Sequence, residues 1–165
     1  MPLVLVALVC LNLCGQPAAE EVLLKVPAAK QPYNLCLAAS VSMVLKHWGV
    51  DVAPQALADQ VPVYRDGTTG LDLLRLVERR GFRGFLVQPP FADLLEHLKK
   101  GRPLVVAFPA RGGSRHAMVL VGFDEGRRRL FLNDPASGKR RAFDYETFRR
   151  KWEGAERWTF LIVPP

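Results

Sequence analysis

Cysteine is scarce in this 165-residue chain, which contains three, two of them close to its amino terminus. Several chemical signatures are also missing. No G-x-S-x-G elbow is present, which argues against a serine hydrolase of the α/β type, and Ser114 in GGSRH does not fit that pattern. The glycine patterns of phosphate-binding and dinucleotide-binding loops do not occur. One cysteine, one histidine and one aspartate would leave a structural zinc site short of its usual four ligands, so we expect no metal and no cofactor.

Acidic residues are outnumbered, because 23 Lys and Arg face 16 Asp and Glu and give a formal charge of +7. The basic residues cluster at 127–129, 139–141 and 149–151, each beside a predicted turn or on a polar helix face. No aromatic-rich nucleic-acid motif accompanies them, so we expect no nucleic-acid partner. We interpret the clusters as solvated surface that biases the protein towards acidic partners.

The amino terminus begins with an almost unbroken apolar run over residues 2–13. This run is too short to span a membrane but has the length of a signal-peptide hydrophobic region. Small residues at Ala18 and Ala19 offer a cleavage site. We therefore expect residues 1–19 to be a signal peptide and residues 20–165 to form one exported domain.

A lipoprotein leader is the open alternative, with Cys14 lipidated and the protein attached to a membrane. Leu13, directly before that cysteine, departs from the small residue that is usual there. If the leader is removed, we expect Cys36 to be the only cysteine left. A lone cysteine in an exported protein cannot form an internal disulfide, which points to a functional role.

Cys36 lies at the start of a predicted helix in the stretch QPYNLCLAASVSMVLKHWG. Residues at three- and four-residue spacing follow it, Pro32 and Asn34 precede it where a helix start is expected, and Gly49 ends it. The free N–H groups of a first helical turn favour a thiolate over a thiol. Gln31, five residues upstream, lies where its amide can donate to an oxyanion beside the sulfur.

The rest of the chain reads as helices followed mainly by strands. Helices are predicted at 54–60, 71–80 (with Thr69 as its cap), 91–100 and 143–152. Strands are predicted at 82–88, 104–108, 116–123, 129–133 and 158–163. Helices packed on an antiparallel sheet define an α+β fold.

Two further polar residues fall at the ends of neighbouring predicted strands. His116 begins one strand, Asp134 follows the next, and the turn at 124–126 connects the two strands. If these strands pair, His116 and Asp134 become neighbours. A carboxylate beside an imidazole fixes its tautomer and stabilises its protonated form, as the base of a cysteine nucleophile requires.

These residues carry a resemblance to a known family, the bacteriocin-processing (double-glycine leader) cysteine peptidases, which have a papain-like fold. The matching segments cover about residues 26 to 163: VPAAKQPYNLCLAASVSMVLKHWG, GRPLVVAF, HAMVLVGFD, LFLNDPASG and FDYETFRRKWEG…WTFLIVP. The resemblance implies Cys36 as nucleophile, His116 as base, Asp134 as its orienting group and Gln31 as oxyanion donor. Many members have glycine after the nucleophile, where this chain has Leu37.

The resulting hypothesis is a cysteine peptidase that acts on peptide or protein substrates, with a preference for small residues such as Gly-Gly before the cut. Two alternatives stay open at this point. One is a catalytically silent papain-like domain that binds a peptide or a cell-envelope partner. The other is an amidase or transpeptidase, because hydrolysis and acyl transfer pass through the same thioester.

Overall fold

The computed structural model describes residues 19–165, so residues 1–18 of the expected leader, Cys14 among them, lie outside the described residues. Five α-helices are formed: α1 (Cys36–His47), α2 (Pro54–Ala58), α3 (Gly70–Arg79), α4 (Phe91–Lys99) and α5 (Tyr145–Glu153). Seven strands accompany them: β1 (Glu21–Leu23), β2 (Arg83–Val87), β3 (Leu104–Pro109), β4 (Arg115–Asp124), β5 (Arg129–Asp134), β6 (Lys139–Asp144) and β7 (Thr159–Val163). Within this range, none of the helices has the length and apolar character needed to cross a bilayer.

The strands form one antiparallel sheet in the order β2-β7-β3-β4-β5-β6, and β1 pairs with the far end of β4. The long strand β4 lies near the middle, between β3 and β5. Its residues point alternately to the two faces, as strand geometry requires. Helices therefore cover the sheet on both sides.

Each face of the sheet has its own apolar core. Val119 and Val121 of β4 pack with the buried sides of α1, α2 and α3. Met118 and Leu120, which point the other way, pack with α4 and α5, including Phe148 and Trp152. A register shift between Leu120 and Gly122 inserts an extra residue, and Phe123 consequently lies on the α4–α5 face.

The predicted elements are confirmed as helices and strands to within about two residues at most ends. The α+β class is confirmed as well. Thr69 caps α3, because its Oγ1 accepts a hydrogen bond from the N–H of Asp72 at 3.2 Å. The predicted start of α5 at Phe143 is wrong: Asp144 caps the helix by accepting from the Thr147 N–H at 2.7 Å.

Two strands, β1 and β6, are absent from the sequence prediction. β1 has three residues, too few for a periodic signal. β6 begins with Lys139, Arg140 and Arg141, which we interpreted as a cluster beside a turn or on a helix face. The cluster does follow a turn, at 135–138, but its residues also form a strand that pairs with β5, which was not predicted.

Asn34 does not cap α1. Its backbone has a φ of 59°, a left-handed conformation that asparagine tolerates. Its side-chain amide donates to the backbone oxygen of Arg65 at 2.5 Å. Asn34 thus connects the segment before α1 to the 61–70 loop through a hydrogen bond. The first turn of α1 begins at Cys36.

Candidate active site

Cys36 is the first residue of α1 and the only cysteine in residues 19–165; its thiol is free and half-buried. The helix packs against β4, and Sγ lies 3.9 Å from the backbone oxygen of Arg115, the first residue of that strand. The sulfur therefore faces the start of β4. At the same time it is close to the unpaired N–H groups of the first helical turn.

His116 and Asp134 meet because β4 and β5 pair along their length. The start of β4 then lies beside the end of β5. Nε2 of His116 lies 2.8 Å from Oδ1 of Asp134, which confirms that the two residues are neighbours. Since Nε2 is engaged by the carboxylate, Nδ1 is the ring nitrogen left to exchange a proton with Cys36.

Asp134 is a buried carboxylate with several partners. Its Oδ1 also accepts from the N–H of Ala136 at 2.9 Å, and its Oδ2 lies 3.3 Å from Nη1 of Arg141. Burial raises the pKa of Asp134, but the hydrogen bonds to His116, Ala136 and Arg141, together with the charge of His116, hold that pKa below its usual value. The carboxylate is therefore ionised wherever His116 is to be held protonated.

The thiol and the imidazole shift each other's pKa in opposite directions. Burial raises the pKa of Cys36, but hydrogen bonds to His116 and to the backbone of Ala117 and Leu37, together with the imidazolium charge, lower that pKa overall. The pKa of His116 is raised, first by its hydrogen bond to Cys36 and then by Asp134, against the lowering effect of burial. Both shifts favour a thiolate–imidazolium pair.

Gln31 is fixed next to the turn that follows Asp134. Its backbone N–H donates to the oxygen of Pro135 at 2.8 Å. Its side-chain Oε1 is buried without a hydrogen-bond partner within residues 19–165. The side-chain NH₂ is the end of the amide that an oxyanion would need, and the oxyanion-donor role of Gln31 stays a prediction.

A cleft of about 290 Å³ opens on one side of Cys36. Four of its lining residues are small: Gly70, Ala107, Gly113 and Ala117. Leu37, Thr68 and Trp158 also line it, and a Cβ added to Gly70 would lie 2.7 Å from the Trp158 ring. The cleft beside the sulfur is thus narrow, and its lining residues pack closely against one another.

A larger groove, about 540 Å³, lies elsewhere and is lined by Phe85, Val87 and His97, among others. It contains no member of the Cys36–His116–Asp134 group, so the chemistry belongs to the smaller cleft. Nδ1 of His97 is buried and finds no partner among the described residues. Burial and the charges of Arg102 and Lys100 lower the pKa of His97, which favours the neutral form of this half-buried histidine at pH 7.

The remaining histidine, His47, has a structural contact: its Nε2 lies 3.0 Å from the backbone oxygen of Gly101. In residues 19–165 there is no group of three or more His, Cys, Asp or Glu that could hold a metal ion. His47 and His97 lie on helices, α1 and α4, and neither belongs to the Cys36–His116–Asp134 group.

Sequence reasoning missed three residues at the site. Arg141 was assigned to solvated surface, yet it contacts Asp134; the strand register that places it there carries no sequence signal of its own. Thr68 and Trp158 line the cleft although they are distant from Cys36 in the chain. Oγ1 of Thr68 is buried without a partner in the described part of the chain, which leaves a polar atom next to the cleft.

Residues 23–159 match the model of the Peptidase_C39 like family. No protein of curated function matches the chain. Its fold is similar to that of a putative C39-like peptidase from Bacillus anthracis, with a TM-score of 0.74, 18% identity, and coverage of 88% of this chain and 98% of the other.

Two transporter peptidase domains are similar in fold as well. One is a double glycine motif protease from an AMS/PCAT transporter, solved in complex with the leader peptide: TM-score 0.71, 24% identity, coverage 87% and 95%. The other is the peptidase domain of Streptococcus ComA, a bifunctional ABC transporter of a quorum-sensing pathway: TM-score 0.70, 21% identity, coverage 87% and 98%. At these identities the likeness establishes the fold, which confirms the expected architecture.

Proposed function

This chain belongs to the Peptidase_C39 like family, and we propose that it is a cysteine peptidase in which Cys36, His116 and Asp134 form the catalytic triad. The observation that carries the proposal is the 2.8 Å contact between His116 and Asp134 beside a thiol whose pKa is lowered. A structural histidine does not need a buried carboxylate on one nitrogen and a thiol near the other. A nucleophile–base pair needs both.

In the acylation step the thiolate of Cys36 attacks the carbonyl carbon of the scissile peptide bond. The carbonyl oxygen becomes an oxyanion, which the side-chain NH₂ of Gln31 and a free N–H of the first turn of α1 stabilise. The protonated His116 then gives its Nδ1 proton to the leaving nitrogen. The C–N bond breaks, the amine departs, and a thioester on Cys36 remains.

In the deacylation step His116 is neutral and takes a proton from a water molecule. The resulting hydroxide attacks the thioester carbon, and the C–S bond breaks to release the acid and regenerate the thiolate–imidazolium pair. Asp134 stays ionised throughout and holds the imidazole in one orientation. An amine in place of water would give transpeptidation through the same residues.

We propose that the substrate presents small residues before the cut, with Gly-Gly as the first candidate. Two observations support this. Glycine and alanine supply four of the residues that line the cleft beside Cys36, together with the larger Leu37, Asp66, Thr68, Arg115 and Trp158, and one structural relative is named a double glycine motif protease. Leu37 narrows the same cleft further, which favours residues without side chains.

The test compares alkylation with turnover. Wild-type Cys36 should react with iodoacetamide well below the ordinary thiol pKa of about 8.5, because the imidazolium holds it as a thiolate. His116→Ala should move that profile towards about 8.5 and abolish cleavage of a Gly-Gly peptide. Gln31→Ala should spare alkylation, which forms no oxyanion, yet slow cleavage by about 100- to 1000-fold.

His97→Ala is the matched control, since it removes a half-buried histidine that lies away from the triad. It should leave both the alkylation profile and the cleavage rate near their wild-type values. A wild-type profile centred near 8.5 and insensitive to His116→Ala would contradict the proposal and favour a silent peptide-binding domain. Cleavage of bulky peptides alone would contradict only the small-residue preference.

A further inference from the structure

The two sides of the reactive sulfur differ in what lines them. The cleft of small residues lies on one side, and its described lining includes nothing from β5 or β6. His116 and Asp134 do not line this cleft, and the leaving amine must receive its proton from His116. The residues that precede the scissile bond therefore occupy the cleft, and the residues that follow it leave over Asp134 towards β6.

The surface beyond Asp134 is strongly basic. We define it as the leaving-side surface, formed by Lys30, Lys139, Arg140 and Arg141, all exposed. Lys30 packs over the β5–β6 turn: a Cβ on Gly138 would lie 3.2 Å from the Cβ of Lys30. Lys139 lies opposite Asp134 and Arg141 lies opposite Leu132, so both of these side chains share the Asp134 face of the sheet. Arg140 lies opposite Asn133 and points to the other face, so the leaving-side surface extends over both faces of β6.

These charges are largely unbalanced. Arg141 forms an ion pair with Asp134, whereas Lys139 and Arg140 form no ion pair within the described residues. β6 is also the last strand of the sheet, and within residues 19–165 no strand pairs with its outer side. An exposed strand edge offers backbone donors and acceptors to an extended peptide, in addition to its charged side chains.

We propose that the leaving-side surface binds acidic residues located after the scissile bond. This rests on the proposed peptidase function and specifies its substrate class. Since β4 and β6 are separated by two strand spacings, the leaving segment has to cover about 10 Å, which takes about three extended residues. The preferred acidic residues therefore begin at about the third position after the cut.

A second explanation for the charges has to be separated from this one. Lysine and arginine on an edge strand also prevent pairing between copies of a protein, without any role in substrate selection. Under that explanation the sequence of the leaving segment is irrelevant to the rate. The two explanations differ in what they predict for matched peptides.

The experiment measures kcat/KM of the full chain on three peptides that are identical up to and including the scissile Gly-Gly. They carry three Glu, three Gln or three Lys at the third to fifth positions after the cut. We expect the Glu peptide to be cut about three- to tenfold faster than the Gln peptide, and the Lys peptide to be cut most slowly. Added salt should reduce these ratios, because the contacts are exposed.

The double variant Lys139→Gln/Arg140→Gln should bring the Glu-to-Gln ratio close to one. Arg149→Gln/Arg150→Gln is the control: it removes the same charge from α5, beside Arg128 at the opposite end of the β4–β5 hairpin, and should keep the ratio. A wild-type ratio of one, or an equal fall in both variants, would overturn the proposal.

A binding measurement separates this inference from the proposed function. Fluorescence anisotropy with Cys36→Ser reports binding of the same labelled peptides without turnover. If the wild type cuts all three peptides equally, the peptidase function stands and the acidic preference fails. If nothing is cut but Cys36→Ser binds the Glu peptide more tightly than the Gln peptide in a Lys139-dependent way, the surface stands and the peptidase function fails.

Discussion

Two aspartates of low exposure lie at opposite ends of the β4–β5 hairpin, and both contact a backbone N–H group and an arginine. Asp124 ends β4 and Asp134 ends β5, with exposures of 6% and 4%. Each carboxylate accepts one hydrogen bond from a backbone N–H and one from a guanidinium. For Asp124 both donors belong to Arg127, its backbone N–H and its Nη1, each at 2.9 Å. For Asp134 the donors are the backbone N–H of Ala136 and Nη1 of Arg141. The pKa of each carboxyl lies below its usual value.

The two aspartates differ in one neighbour: Asp134 also contacts His116 of the adjacent strand β4. Asp124 closes the turn through Arg127, a cation that does not titrate, and therefore serves stability alone. Asp134 shares its Oδ1 with His116, whose charge changes near neutral pH, and the same carboxylate then orients a base. In this hairpin an Asp–Arg contact at a strand end therefore stabilises the fold and does nothing more. The aspartate takes part in chemistry only where it also contacts a titratable residue next to a thiol.

The largest effect in this comparison is expected for Asp134→Asn. The amide can still contact the ring but cannot stabilise its positive charge, so kcat/KM on a Gly-Gly peptide should fall by about 100-fold. The pKa of His116 should decrease because one of the causes that raise it is lost. The alkaline limb of the pH–rate profile should accordingly move to lower pH.

Asp124→Asn supplies the matched control, because it makes the same chemical change in a similar environment. Its activity should stay within about twofold of the wild type. Equal losses of activity in both variants would show that the hairpin as a whole, and not the Asp134–His116 contact, supports turnover. A pH–rate profile unaltered by Asp134→Asn would contradict the orienting role of Asp134.

The sequence predicted the catalytic end of this hairpin better than its charged surroundings. Strand periodicity and the 124–126 turn were sufficient to place His116 beside Asp134, and helical spacing placed Cys36 in a first turn. Arg141 could not be predicted, since its contact depends on the register of β6, and β6 is hidden by three consecutive basic residues. Asn34 was predicted to lie just before the helix start, as it does, but its contact with Arg65 in the 61–70 loop joins residues far apart in the chain and could not be predicted.

The second effect concerns stability at the other end of the hairpin. Asp124→Asn removes the acceptor that holds both the backbone and the guanidinium of Arg127. Because the turn loses its ion pair and its charged hydrogen-bond acceptor, we expect the melting temperature to fall by a few degrees. Thermal unfolding followed by circular dichroism measures this. Arg129→Gln, which removes a nearby charge outside the Asp124–Arg127 contact, should leave the melting temperature unchanged.

A smaller effect is the pH dependence that distinguishes the two carboxylates. Both stabilise the fold above the unfolded aspartate pKa of about 3.9, and both contributions are lost as pH falls through the lowered folded pKa. The His116 contribution is complete below about 6.5 and is lost as pH rises through the raised folded pKa. The melting-temperature difference between wild type and Asp134→Asn should therefore be largest between about pH 4 and 6.5.

For Asp124→Asn the same difference should persist above pH 6.5, because Arg127 remains protonated. Melting curves of the two variants and the wild type across pH 4 to 9 give both comparisons in one series. A difference for Asp134→Asn that stays constant up to pH 9 would assign its stabilisation to Arg141 alone and remove His116 from the account.

The smallest expected effect concerns the leader. Glu20 lies at the Asp124 end of the hairpin, where its oxygen accepts from the N–H of Glu125 at 3.0 Å. The ten residues of β4 place that junction about 30 Å from the triad.

We propose that the protein is exported and that its mature form begins after about Ala19, as the apolar run and the small residues before Glu20 indicate. Removing residues 1–19 should then leave kcat/KM unchanged, and amino-terminal sequencing of the native protein should find no Met1. Intact Met1 on cytosolic protein would contradict export, and a changed kcat/KM would show that the two ends of the hairpin are not independent.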